Sequence, residues 1–160
     1  MKQLENRLKG YREWLPDSHR VVVLVDEDRE DCKKLKAKLE AAAKNAGFRT
    51  KTAARTNRQF TVLNRIAVEE IEAWMIGDPA ALKAAFSRLP ATFASTKRYR
   101  SPDSIVGGTA EALERLLQKA GYYQGGMPKI EVARMVGPHL HPELNNSSSF
   151  QTFVNGLRLL

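Results

Sequence analysis

Val21-Val22-Val23-Leu24-Val25-Asp26-Glu27-Asp28-Arg29-Glu30-Asp31 opens on five aliphatic residues without a polar interruption and closes on a block of acids. A short, β-branched apolar run without alternation reads as a strand covered on both faces, the pattern of parallel sheets flanked by helices. Side chains two apart on a strand project to the same side, about 6 to 7 Å apart along the backbone. Asp26 and Asp28 are therefore expected to project together if extended backbone persists through them. Two carboxylates that close repel by roughly 1 kcal/mol in water and several times that at a protein-like effective dielectric. A hard, oxygen-seeking cation such as Mg²⁺ relieves the repulsion. The same acids also read as the cap and first turn of the helix that follows.

Downstream, Leu35, Leu39, Ala42, Ala43 and Ala46 recur at helical spacing, with Lys33, Lys34, Lys36, Lys38 and Lys44 mostly off the stripe and Gly47 as the C-terminal cap. Strand, acidic turn and helix make two-thirds of a βαβ unit. Phe60 to Ala67, with Phe60, Val62, Leu63, Ile66 and Ala67, is predicted as the second strand. Upstream, Leu4, Leu8, Tyr11 and Leu15 predict an amphipathic helix over residues 2 to 15, broken by Pro16. Residues 48 to 59 carry Arg49, Lys51, Arg55 and Arg58 without a clear period; they suit either a short edge strand with a phosphate-facing loop or a solvated connector.

From Val68 the pattern turns helical, with Ile71, Trp74 and Met75 on one side and Gly77 at the end. Asp78-Pro79 then supplies an N-cap and a first-turn proline for the next helix, so Asp78 reads as a cap rather than a ligand. Leu89 to Gly108 is predicted as a long loop, a length that in compact domains goes with function or mobility. Its Lys97-Arg98-Tyr99-Arg100 cluster suits phosphate binding with stacking on a base, or an exposed charged loop. Thr109 is expected to cap a helix with Leu113, Leu116, Leu117 and Ala120 inward, closed by Gly121. Lys129 to Val136 predicts a further helix. The last opens on a capping box from Ser148 to Gln151 and aligns Phe150, Phe153, Val154, Leu157 and Leu160. The expected fold is α/β: a small parallel-sheet core over about residues 20–90 flanked by helices, with a helical C-terminal extension over about 108–160, in one domain spanning 1–160.

At 160 residues and 18.0 kDa, with 42% hydrophobic residues, the chain is long enough to bury a core. A formal net charge of +8 and a pI near 9.8 make a polyanion the natural long-range partner, with nucleic acid the leading class and a plain solvated basic surface the alternative. Cys32 is the single cysteine, which excludes an internal disulfide or a cysteine-based zinc cluster and favours a reducing compartment. No apolar run reaches the length of a membrane span, and residues 1–10 are polar rather than signal-like. A cytoplasmic location without membrane contact is expected.

Glu69-Glu70-Ile71-Glu72-Ala73-Trp74 is the second acidic feature. On a helix Glu69 and Glu72 share a face. They suit a solvated helix start, or, if the two strands are parallel neighbours, a carboxylate cluster with Asp26 and Asp28 for one or two metal ions. His139 and His141 sit among prolines without a third ligand nearby and read as a turn rather than a zinc site. Gly107-Gly108-Thr109 reads as a loop-to-helix turn, a place where backbone N–H groups can also meet a phosphate. A phosphoacceptor receiver domain would need a further strand-end aspartate and lysine that the sequence does not place.

Together with Val21 to Cys32, the stretch Ile66-Ala67-Val68-Glu69-Glu70-Ile71-Glu72-Ala73-Trp74-Met75-Ile76-Gly77-Asp78 and the terminal Ser147-Ser148-Ser149-Phe150 helix resemble the bacterial Toprim-like family catalogued as domain of unknown function 4276, which includes RloG-type proteins. The resemblance runs over nearly the whole chain from about residue 10, and the middle motif is its most specific part. It implies a Toprim-like core related in its metal site to the nuclease half of the overcoming-lysogenization-defect proteins. It also implies Mg²⁺, with Mn²⁺ as a substitute, and action on nucleic acid phosphodiesters in phage defence beside an AAA-type ATPase. Asp26 and Asp28 match the family's Asp-x-Asp metal pair. Glu69 or Glu72 would fill the role of later acids for a second metal, which makes Asp26, Asp28 and Glu72 the expected catalytic set; Glu70 is a further candidate, and Lys97 or Lys129 would complete the site. The resemblance implies one group more, a glutamate ending an earlier strand. Residues 1–20 read as a helix and a turn, and Glu5 lies on the helix, so either a strand lies upstream of Met1 or the glutamate is lost. Two functions are accordingly expected: a Mg²⁺-dependent nuclease-like protein, or a catalytically incomplete module that binds nucleic acid or a partner ATPase.

Overall fold

The structure, a computed structural model, describes residues 1–28, 30–54, 60–90 and 92–160. It is α/β, with a two-stranded parallel sheet flanked by helices, as the sequence predicts. In chain order the elements are α1 (Lys2–Trp14), β1 (Val21–Asp26), α2 (Cys32–Asn45), β2 (Val62–Ala67), α3 (Glu72–Ile76), α4 (Pro79–Ala85), α5 (Thr109–Lys119), α6 (Lys129–Val136) and α7 (Ser148–Leu157), with single 3₁₀ turns at Phe93–Ser95, Pro102–Ser104 and Gly137–His139. The chain folds as two compact units, Met1–Ile66 with Thr152–Leu160, and Ala67–Gln151. Among the described residues no helix is long and apolar enough to cross a membrane.

In the first unit, β1 joins β2 through bonds such as Val21 N–H to Thr61 O at 2.9 Å. One face of the sheet, with Val21, Val23, Val25, Val62 and Ile66, packs on α1 and α2 through Leu4, Leu8, Leu39 and Ala43. On the other face Leu63 packs with Ala54, Phe60 and Leu159. β1 is less covered than its composition predicts: Val23 is buried, but Val22 is 38% exposed. The reason is topological, since among the described residues β2 is its one strand neighbour. Asp31, the last of the acids, is the residue that caps α2, its side chain accepting the Lys34 N–H at 2.8 Å. Gly47, at φ +80°, ends the helix as predicted, with Phe48 N–H bonding back to Ala43 O.

The edge-strand reading of residues 48–59 holds for one residue pair: Thr50 bridges Val62 in parallel. Arg55 and Arg58 lie outside the described residues. The chain then turns back, Ala54 N–H bonding to Thr50 O. Beyond that point the Asn64 carbonyl accepts Lys36 Nζ at 2.7 Å and Arg65 Nη1 at 3.0 Å instead of a strand neighbour. Side-chain cations thus close this edge of β2. Glu40 completes the group, meeting Lys36 Nζ at 3.1 Å and Asn64 Nδ2 at 3.0 Å. Burial pushes its carboxyl upward, but hydrogen bonds from Thr50, Asn64 and Lys36 outweigh it and hold the group below the ordinary carboxylate range.

In the second unit, α4, α5 and α6 enclose a core that includes Leu82, Phe86, Leu113, Leu117, Val132 and Val136. The helix predicted from Val68 begins only at Glu72. Glu69 has φ +59°, a left-handed conformation that interrupts a right-handed helix, and Ile71 is 38% exposed rather than packed. Asp78 caps α4 as predicted, Oδ1 accepting the Ala81 N–H at 2.9 Å with Pro79 in the first turn. The cap of α7 lies one residue before the predicted Ser148: Ser147 Oγ accepts the Phe150 N–H at 3.1 Å. Gln151 instead donates to the Pro142 and Asn145 carbonyls. Asp103, remote in sequence, accepts the Ser149 N–H at 2.8 Å and the Ser147 hydroxyl at 2.6 Å.

Candidate functional site

At the end of β1 the strand stops on Asp26, whose side chain is exposed. Asp28 is also exposed and has φ +53°. Extended backbone therefore does not persist through the pair, and strand alternation does not fix their relative direction. Aspartate enters the left-handed region more readily than most residues, which suits this turn. Both carboxylates follow the carboxy end of a parallel strand, the edge at which open α/β sheets take ligands. Mg²⁺ keeps several waters and commonly binds through one or two carboxylates and the phosphates of its substrate. Two solvent-exposed carboxylates fit that donor set. Among the described residues no group of three or more His, Cys, Asp or Glu side chains is arranged to hold a metal ion.

The second acidic stretch has a different chemistry. Glu70 Oε2 accepts the Ala110 N–H at 2.8 Å and the Thr109 hydroxyl at 3.2 Å, so it caps the N-terminus of α5 from some forty residues upstream. Thr109, predicted as that cap, is instead the first helical residue and is fully buried. The place where Gly107-Gly108-Thr109 could meet a phosphate is filled by the chain's own carboxylate, favoured there by the helix dipole. Lys129 Nζ lies 3.3 Å from Glu70 Oε1 and 3.3 Å from Glu72 Oε1. Glu72 is buried, its side chain 4% exposed. An ammonium group thus stands between the two carboxylates, and Glu70 with Glu72 does not fit a second metal ion. Glu69 precedes α3 in its left-handed turn and does not share a helical face with Glu72.

Burial pushes the Glu70 carboxyl upward, but the Ala110 N–H, Lys129 and the Thr109 hydroxyl hold it below its ordinary value. Burial likewise pulls Lys129 downward, while the Glu72 and Glu70 carboxylates raise it on balance. A carboxyl depressed in the folded state stabilises fully above its unfolded value, near 4.5, and that contribution is lost as pH falls through the folded one. Glu70→Gln is therefore expected to lower stability at pH 7 by about 1 kcal/mol. It should also flatten the acid limb of the stability curve. Urea midpoints at neutral and acid pH check this; a variant whose midpoint falls with acid as steeply as the parent's would rule the role out.

The basic turn is described in the same unit. Lys97, Arg98 and Arg100 are exposed. Tyr99 is anchored: its hydroxyl donates to Ala112 O at 3.3 Å and its ring meets Phe93 edge-on at 5.9 Å. The Arg98 guanidinium lies 6.0 Å from the ring centroid. Tyr99 thus fixes the turn that presents the cations. His139 lies in the 3₁₀ turn after α6, and His141 bonds Asp78 Oδ2 through its backbone N–H at 2.7 Å and Nδ1 at 3.3 Å.

Periodicity alone did not reveal the Glu70 cap, yet a signal existed. Gly107-Gly108 ahead of α5 brings no side-chain acceptor, so the first N–H groups need an acid from elsewhere. No curated protein and no solved structure matches the chain. A family model does match, from the first residue of the chain through residue 158, beyond α7. With β1, both acidic stretches and the basic turn all inside that match, the chain belongs to the family described as Domain of unknown function (DUF4276).

Proposed function

We propose that this protein is a Toprim-like, Mg²⁺-dependent enzyme acting on nucleic acid phosphodiesters, with the cation held by Asp26 and Asp28. The observation that carries the proposal is the end of β1, where the exposed Asp26 is followed by Asp28 in a left-handed turn. A non-glycine residue in that conformation costs of order 1 kcal/mol, and such residues cluster at functional sites. When bound, Mg²⁺ stabilises charge on phosphoryl oxygens and lowers the pKa of a bound water. Asp26 and Asp28 would hold and orient it, and Mn²⁺ would substitute. Lys97, Arg98 and Arg100 would neutralise backbone phosphates, consistent with the net charge of +8. An AAA-type ATPase partner, phage defence and a cytoplasmic location belong to this proposal through the family resemblance.

The test is cleavage of plasmid and single-stranded DNA with Mg²⁺ or Mn²⁺. Asp26→Asn and Asp28→Asn are each expected to reduce the rate by on the order of a hundredfold. Variants that cleave as fast as the parent would sink the assignment.

One observation favours a second reading, a nucleic-acid-binding module without hydrolysis: Glu72, expected in the catalytic set, is buried against Lys129. This reading predicts DNA binding that survives EDTA, weakens with salt and brings no cleavage. Loss of all binding in EDTA at low salt would count against it.

A further inference from the structure

The two edges of the small sheet are treated differently. Beyond the Thr50 bridge, the edge of β2 is closed by Lys36 and Arg65 on the Asn64 carbonyl. β1 contains neither a lysine nor a proline, the residues that commonly blunt an edge, and Val22 is 38% exposed. Because the Val21 N–H points to β2, the backbone groups of alternate residues Val22, Leu24 and Asp26 point to the outer edge. Their side chains lie on the sheet face opposite α1 and α2.

The ends of the strand are complementary to each other. Arg20 precedes the aliphatic run and Asp26 ends it, each three residues from Val23. We propose that β1 pairs antiparallel with β1 of a second copy, in the register centred on Val23, joining two small sheets into one of four strands. A two-fold axis through Val23 sets Val22 against Leu24 of the partner subunit as a hydrogen-bonded pair, and Arg20 against Asp26 of the partner subunit. Both charge pairs form at once, and the exposed Val22 is covered. A shift to place Arg20 against Leu24 of the partner subunit leaves the charges unmatched. A shift the other way brings it to Asp28 of the partner subunit, where the backbone has left the extended conformation. The Arg20 guanidinium uses Nη1 on the Asp17 and His19 carbonyls, which leaves its remaining donors for a carboxylate.

Sedimentation of the full chain over a dilution series, in EDTA so that Asp26 meets no cation, tests this directly. The expected species at high concentration has twice the 18.0 kDa chain mass. Arg20→Glu sets like charges opposite each other twice and is expected to raise the dimer dissociation constant about tenfold or more. Arg20→Glu combined with Asp26→Arg exchanges the charges and restores pairing. Val22→Pro removes an outward N–H without touching the ladder to β2, so it should give a monomer with unchanged circular dichroism and melting temperature. A parent that is monomeric at every concentration overturns the proposal. So does a dimer indifferent to these substitutions, or a monomer whose β1 edge takes up the strand of a different protein.

Discussion

Gly77→Ala is expected to destabilise the second unit by about 3 kcal/mol or more, although alanine is ordinarily the better helix former. Gly77 has φ −66°, so its backbone is open to any residue. The obstacle is space: a Cβ there would lie 2.3 Å from Asn145 Oδ1, 3.0 Å from Ser147 N and 3.2 Å from Ala73 O. Asn145 is almost fully buried and has nowhere to go. Its Oδ1 accepts the Ser147 N–H at 2.9 Å, its Nδ2 donates to Trp74 O at 2.7 Å, and Gly77 O accepts the neighbouring Asn146 N–H at 2.8 Å. Displacing it strands buried polar groups at about 1 to 3 kcal/mol each. Gly10→Ala supplies the contrast. Gly10 lies within α1, and a Cβ there would meet nothing within 4 Å, so the same change should stabilise by about 0.5 to 1 kcal/mol. Opposite shifts in urea midpoint are the expected pair of results; equal midpoints for Gly77→Ala and the parent would remove the steric account.

Asp78→Ala should cost about 3 kcal/mol, and Asp78→Asn nearly as much. The buried carboxylate divides its oxygens: Oδ1 accepts the Ala81 N–H, and Oδ2 accepts the His141 N–H at 2.7 Å with His141 Nδ1 at 3.3 Å. Alanine leaves those donors without an acceptor. Asparagine serves one side and turns an N–H₂ donor toward donors on the other, so isosteric shape brings no rescue. Trp74, 4% exposed, reports on the same unit by fluorescence, whereas Trp14 is 67% exposed and can be silenced by Trp14→Phe. An Asp78→Asn chain that melts with the parent would show that a single acceptor suffices.

What the sequence made legible follows from the range of the interactions. The aliphatic run of β1, the stripe of α2, the Asp78-Pro79 start of α4 and the bounds of α6 depend on neighbours within a turn or two, and each forms where the pattern puts it. The misses depend on distant partners. Glu70 reaches Ala110, Asp103 reaches Ser149, and Lys129 reaches Glu72, none of which leaves a periodic trace. Of the candidate site, the aspartates at the end of β1 were legible because a strand end is a local event. The left-handed turns at Asp28 and Glu69 were not, since neither residue type demands that conformation.

The anchoring of Tyr99 has a thermodynamic consequence for whatever anion the basic turn meets. With its hydroxyl on Ala112 O and its ring against Phe93, the backbone carrying Lys97, Arg98 and Arg100 is ordered when the protein folds. The entropy of fixing that loop is then lost during folding and not again on association. Encounter with a polyanion through this turn needs no coupled ordering and little burial of apolar surface, so its heat-capacity change is small. Its speed is set by the long-range field of the cations and falls as added salt shortens the Debye length.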